Sequence, residues 1–302
     1  MEKSTREEAM MITIVYYFSG TGNSLAVARE IADGLGGELL SIPAAVRKQR
    51  VEAKADCIGI VFPSYLAQLY GVPLIVERFV GRLVEIEKKY LFAVATCGAY
   101  QSFNALPALK NLSRLVRARG GRIAAEHSVR LPMNNLDYSH IPIPISKDQE
   151  LMFEKCHPKV AAICDAARRR GRTRHGIAKS ILNWAMTPLY LMLRIVYLKE
   201  LRKYAREPEG SSLGFRDLIP GIDKSIRCDD QCDGCGTCAL VCPAENIALT
   251  EGRPTWLHHC EMCLACAEWC PRRAVHHCMR ADGRAYHHPD VKVSDMVKQA
   301  RP

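Results

Sequence analysis

Short apolar runs alternate with helical-period segments through the first part of the chain. Met11–Phe18 (MITIVYYF) is continuous, apolar and rich in β-branched and aromatic residues, as a buried strand requires. Leu25, Ala28, Ile31, Ala32 and Leu35 then recur at helical spacing, and Gly36-Gly37 closes the pattern. Further strands are expected at Gly37–Ile42, Ala55–Pro63, Tyr90–Cys97 and Gly121–Leu131, the first of these the weakest. Helical stretches at about 71–84 and 102–119 lie between them. This alternation predicts an α/β fold, a doubly wound parallel five-stranded sheet binding its ligand at the carboxyl ends of the strands.

The pattern changes downstream. Ser146–Gly171 reads as the last helix of the α/β domain, with Pro158 a point of kink or break. Ile181–Leu198 is apolar enough to suggest a membrane span, but Asn183, Pro188 and Arg194 interrupt it. An amphipathic helix pair over 177–205, packed between domains, is expected instead, with its flanking Arg and Lys suited to peripheral membrane contact or partner docking. Arg206–Phe215 reads as a flexible linker. The resulting division is a disordered leader (1–10), an α/β domain (11–150), a helical connector and linker (151–225), a cysteine-rich α+β domain (226–280) and a basic, mobile tail (281–302).

Composition adds little until charge and cysteine are considered. With 48% hydrophobic and 25% charged residues over 302 positions, the chain resembles an ordinary soluble protein. Its net charge of +10 gathers in Arg168–Lys179 and Leu198–Arg206, which would suit an acidic redox partner or anionic lipid. No nucleic-acid motif accompanies it, so no nucleic-acid partner is expected. No secretory signal opens the sequence, and a reducing cytoplasmic setting is expected, in part at the inner face of the membrane.

Eight of the 14 cysteines crowd into residues 232–270. Cys232, Cys235, Cys238 and Cys242 follow C-x2-C-x2-C-x3-C and precede Pro243. Cys260, Cys263, Cys266 and Cys270 repeat that spacing 28 residues later and precede Pro271, so the segment is an internal duplication. Structural zinc prefers two separated C-x2-C pairs, and disulfides suit small secreted domains. Three close thiolates with a fourth before proline match the pattern of two-cluster bacterial ferredoxins, in which the fourth ligand crosses to the other cluster. That pattern assigns Cys232, Cys235, Cys238 and Cys270 to one [4Fe-4S] cluster, and Cys260, Cys263, Cys266 and Cys242 to the second. Ala239, Leu240, Val241, Ile247, Ala267, Trp269 and Val275 would form a dry shell. Two such clusters, each about −2, would reduce the net charge to about +6.

A second cofactor site is expected after the first strand. Ser19–Ser24 (SGTGNS) joins strand to helix with glycines for close approach, hydroxyl donors, and a helix N-terminus facing an anion. The segment FSGTGNS resembles the flavodoxin phosphate loop. That resemblance implies FMN, with Ser19, Gly20, Thr21, Gly22, Asn23 and Ser24 at the phosphate. It places Pro63, Ser64 and Tyr65 on one flank of the ring and Thr96, Cys97, Gly98, Ala99 and Tyr100 on the other. Tyr65 and Tyr100 would stack on the flavin or simply pack the sheet rim. No Asp or Glu occurs in 62–72 or 96–105, unlike the acidic surroundings usual in flavodoxins, so a less strongly reducing flavin is expected.

The combination is similar to the EFR family ferredoxins, flavodoxin-domain iron–sulfur proteins of anaerobic bacteria and archaea. CDGCGTCALVCPAENIAL, GRPTW and HHCEMCLACAEWCPRRAV carry the sharper part of that likeness. It extends over Met11 to about Leu131 and Lys224 to about Met279, and implies architecture and cofactors but no substrate. Cys57, Cys97, Cys156, Cys164, Cys228 and Cys278 are left over, with packing as the default. The pairs His258-His259, His276-His277 and His287-His288 are expected to be solvated. An electron-transfer protein linking one- and two-electron chemistry is the leading expectation. A flavin-dependent reductase fed by the clusters, and a redox sensor with an empty α/β domain, are the alternatives.

Overall fold

The structure, a computed structural model, describes residues 11–67, 69–98, 101–133, 146–173, 187–277 and 285–301. The strands of the first module are β1 (Thr13–Tyr17), β2 (Glu38–Ser41), β3 (Val51–Glu52), β4 (Cys57–Pro63), β5 (Leu83–Val84), β6 (Tyr90–Cys97) and β7 (Ile123–Arg130). Five form one parallel sheet in the order β2-β1-β4-β6-β7, while β3 and β5 make a separate short pair. β1, β4 and β6 are buried along their whole length, as their uninterrupted apolar sequences require. Around the sheet lie α1 (Asn23–Leu35), α2 (Ile42–Ala45), α3 (Leu74–Arg82), α4 (Gln101–Ala118) and α5 (Ser146–Arg168). The direction of winding reverses between β1 and β4, which opens the crevice that doubly wound sheets use for ligands. All five expected strands are present, and Pro158 lies inside α5 without breaking it. Of the expected helix pair, only α6 (Thr187–Tyr204) is seen, and 174–186 lie outside the described residues.

After α6 the chain passes through a loop, α7 (Phe215–Leu218) and a 3-10 turn (Ile219–Ser225) into the cysteine-rich module. That module is small and α+β: β8 (Arg227–Cys228), α8 (Thr237–Leu240), β9 (Ile247–Thr250), β10 (Arg253–Trp256), α9 (Ala265–Glu268) and β11 (Val275–His276). β8 pairs with β11 and β9 with β10, both antiparallel. The duplication is visible in the backbone. Gly234, Gly236 and Glu245 have positive φ angles of 75°, 74° and 53°, and Met262, Leu264 and Arg273, each 28 positions later, have 55°, 62° and 54°. Left-handed backbone costs a side-chain-bearing residue about 1–2 kcal/mol, so the second repeat keeps its shape only with support from packing.

That support comes from the first module. The main apolar core does not stop at the sheet: it includes Met262, Cys263, Ala265, Trp269 and Met296. A separate small core gathers Ile226, Cys238, Ala239 and Ile247 with Ala267 and Val275 of the second repeat, and Val241 of the first repeat belongs to the main core. Leu240, expected in the dry shell, is instead 40% exposed, because it ends the short α8 on its outer side.

Residues 285–301 correct the expectation of a mobile tail. They end in α10 (Val293–Ala300), which buries Met296, Gln299 and Ala300, and Tyr286, His288 and Val291 are buried before it. The histidine pairs are likewise not all solvated. His277 and His288 are buried, whereas His258 and His276 bond Asp223 and Asp229. Cys57, Cys97, Cys156 and Cys164 are buried packing residues, Cys228 is half-buried, and Cys278 lies outside the described residues.

Candidate functional site

The turn after β1 runs into α1 through Gly22, whose φ of 96° lets the chain swing into the helix; no acidic residue occupies the helix's first turn. Ser19, Thr21, Asn23 and Ser24 are all buried. Ser19 Oγ accepts from the Gly22 amide at 3.0 Å, and the hydroxyls of Ser24 and Thr96 share a 2.7 Å bond. Ser64 donates its amide to the Thr96 carbonyl at 2.9 Å. The three segments expected to flank a flavin, 19–24, 63–65 and 96–98, therefore do converge at one end of the sheet. Ala99 and Tyr100 lie outside the described residues. Tyr65 sits edge-on to Phe18 at 6.4 Å, and its backbone bridges to Gly71. Burial raises the Cys97 thiol to about 12, so it stays neutral and unreactive near pH 7.

The second module and the C-terminal segment grip this loop mainly through its carbonyl oxygens. Trp269 Nε1 donates to Gly20 O at 3.0 Å, the His288 amide to Thr21 O at 2.8 Å, and Gln299 Nε2 to Ser19 O at 2.9 Å. Gln299 Oε1 also accepts from the Ser19 amide at 2.8 Å, and the Tyr286 hydroxyl bonds Asn23 Oδ1 at 2.7 Å. Gly20 is obligatory at this joint: a Cβ there would sit 2.1 Å from the Cys263 carbonyl oxygen. The hydroxyls and a helix N-terminus with no acidic residue in its first turn fit a phosphate.

The cysteines form two groups. Cys242, Cys260, Cys263 and Cys266, drawn from both repeats, line one cavity together with Ile247, Trp256, Leu264 and Ala265. Burial raises all four thiols; nearby thiols add to the shift at Cys260, Cys263 and Cys266, and Glu261 adds to it at Cys242. Backbone amides of Asn246 and Met262 donate to the sulfurs of Cys242 and Cys260, both at 3.3 Å. In the other group, burial raises Cys238 to about 11, and the neighbouring Cys270, Cys235 and Cys232 push it the same way. Cys235 is exposed. Among the described residues, no three His, Cys, Asp or Glu are set to hold a single metal ion. A cubane is a wider object than one ion. Four thiols around an apolar cavity, with amides aimed at sulfur, fit its donor chemistry.

One residue at the joint had no signal in the sequence. Glu261 is buried, accepts from the Ile75 amide at 2.8 Å, and pairs with Arg78. It therefore caps α3, whose own N-cap is Pro73 without a side-chain bond, from the other module. Desolvation raises its pKa and Arg78 opposes that. Gln299 was missed as well, although Met296 and Ala300 at i, i+4 spacing mark a helix with one apolar face.

The first module has a flavodoxin-like fold. Its strand order and switch point establish this. Several solved flavodoxins are similar to it. Oxidised flavodoxin 2 from Bacillus cereus shares 14% identity over 53% of this chain and 99% of its own, with a TM-score of 0.36. A Fusobacterium nucleatum flavodoxin mutant bound to flavin mononucleotide shares 13% over 54% and 98%, also at 0.36. The two-electron reduced Megasphaera elsdenii flavodoxin shares 16% over 51% and 100%, at 0.32. No family model and no curated protein matches the chain.

Proposed function

We propose that the chain is an electron carrier holding two [4Fe-4S] clusters and one FMN. The observation that carries this reading is the crossed grouping of the cysteines, with Cys242 of the first repeat lining the same cavity as Cys260, Cys263 and Cys266 of the second. Clusters would supply single-electron transfer, and the flavin would accept one electron or two. Cys232, Cys235, Cys238 and Cys270 form the other ligand set. The Asn246 and Met262 amides stabilise negative sulfur at Cys242 and Cys260, and Ile247, Trp256 and Leu264 exclude water. Because buried thiols hold their protons, loading the sites releases protons.

On the flavodoxin side, Ser19, Thr21, Gly22, Asn23 and Ser24 would hold the phosphate, and Pro63, Ser64, Tyr65, Thr96, Cys97 and Gly98 would border the ring. The second ligand set abuts this loop, since the Cys263 carbonyl packs on Gly20 and Trp269 bonds it. The first set is the outward one. Arg272, bonded to Asp233, stands near exposed Cys235, and Arg253 pairs with Asp230 and bonds the Cys228 and Asp229 carbonyls. An acidic redox protein is the partner that the chain's net charge of +10 favours.

Oxygen-free purification followed by iron, sulfide and flavin counts tests the reading. About eight irons and one FMN per chain are expected. Zinc in place of iron would overturn it, whereas iron without flavin would leave a carrier lacking its two-electron end. With no acidic residue in 62–72 or 96–98, redox titration should place the flavin above the clusters in potential.

A further inference from the structure

Helix α6 is absorbed by neither cofactor site, and its surface is unusual. In its first three turns Leu189, Leu191, Met192, Ile195 and Val196 are all exposed, Ile195 by 72%. Exposed apolar side chains are normal singly, but five on adjoining turns form a patch. Further along the same outward side, Lys199 and Lys203 are exposed, with half-buried Arg202 beside them. With exposed Arg194 among the apolar turns and half-buried Glu200 in the basic one, the exposed surface changes along the axis from mainly apolar to mainly basic. The opposite side is anchored: Leu201 and Ala205 are buried, the Ser225 hydroxyl bonds the Tyr204 carbonyl, and Arg202 bonds Leu213 O. Tyr197, Leu198 and Tyr204 pack against the main core as well, while the five apolar side chains of the first three turns stay exposed.

We propose that α6 docks the protein on an anionic lipid bilayer, its apolar turns entering the surface at a tilt and its basic turn meeting the headgroups. Ten residues of helix span only about 15 Å, half of a hydrocarbon core of about 30 Å, so entry is shallow. Among the described residues no helix is long and apolar enough to cross a membrane. A second copy of the chain fits this face less well. Parallel pairing would set Lys199 and Lys203 against their equivalents, antiparallel pairing would lay them on apolar turns, and each chain carries +10. A bilayer with anionic headgroups satisfies both halves of the face at once. Docking would also orient the cysteine module, because the 3-10 turn that holds α6 supplies Pro220, whose carbonyl accepts from the Cys260 amide at 3.1 Å.

Co-sedimentation of the full chain with vesicles tests this, using phosphatidylcholine alone and phosphatidylcholine mixed with phosphatidylglycerol. Binding to the mixed vesicles only, falling as salt rises, is expected. Ile195→Glu with Val196→Glu should weaken it about tenfold or more, and Lys199→Glu with Lys203→Glu should remove the preference for anionic lipid. Unchanged far-UV circular dichroism guards against misfolding in these exposed positions. Slowed hydrogen exchange in 188–196 on vesicles provides a reading without any substitution. Failure to bind either vesicle overturns the proposal. So does a dimer in the absence of lipid that Ile195→Glu dissociates, because the face would then join two copies.

Discussion

The two cysteine repeats share their spacing, their backbone angles and their short helices, yet they occupy opposite environments. At the position after the first cysteine, the first repeat has exposed Asp233, whose pKa is lowered by its bond to Arg272. The second has Glu261, buried against α3 with its pKa raised by desolvation. Where the first uses Gly234 and Gly236 for left-handed turns, the second uses Met262 and Leu264, both buried. Where the first has Val241, the second has Trp269, bonded to the flavodoxin loop. Burying side chains of that size is worth about 1.5–3 kcal/mol each, enough to offset the backbone strain. Cysteine spacing thus sets the shape of a repeat, and the residues between the cysteines decide what the repeat faces. One repeat is an outward port and the other a joint.

The largest test of that division is removal of one ligand from each repeat. Cys263→Ser should strip iron from the second set and also loosen the joint, so that residues 285–301 become open to protease. Cys235→Ser should lower iron by about half and leave the tail as resistant as before. Equal protease sensitivity in both variants would erase the distinction between port and joint. Next in size is Trp269→Ala, which removes a large buried ring together with its bond to Gly20, and should cost about 3–5 kcal/mol in denaturant unfolding. Smaller again is Glu261→Gln. It leaves Arg78 without its charge partner and weakens the cap on α3, for about 1–3 kcal/mol. The matching Asp233→Asn, at a solvent-exposed site, should leave the unfolding midpoint where it is.

How much of this was legible in the sequence follows from where each signal resides. Three of the five strands, β1, β4 and β6, are written in local apolar runs such as YLFAVATC that bury both faces, whereas β2 and β7 are only partly buried and leave a weaker signal. The cysteine grouping is written in spacing, and the crossed arrangement with it. The joint is written in neither. Glu261 and Gln299 are polar residues that become buried only because a second module arrives, and single-sequence polarity points them toward water. Comparing the repeats position by position would have exposed part of it. Trp269 opposite Val241, and Met262 and Leu264 opposite two glycines, show that the second copy carries apolar bulk its own small fold does not need.

The smallest effect expected is one of pH, and it falls on the joint alone. Burial lowers the pKa of His288 below the usual 6.5; Asp290 opposes the shift, and Arg29 of α1, His157 of α5 and the adjacent His287 reinforce it. Phe153 packs edge-on against the ring at 4.8 Å, and the Asp290 amide donates to Nδ1 at 3.2 Å, which requires a neutral imidazole. Since the folded pKa is depressed, the unfolded segment takes up the proton first as pH falls. Stability at this position is therefore present above 6.5 and is lost progressively below it. Hydrogen-exchange protection of 285–301, taken relative to the intrinsic rate at each pH, should fall over that range, while protection of α8 of the first repeat stays level. His288→Gln should flatten the response, because glutamine can still accept the Asp290 amide without ever charging. A tail whose protection ignores acid would mean that the His288 contact with Thr21 does not hold the two modules together, and that the grip on the loop rests on Trp269 and Gln299.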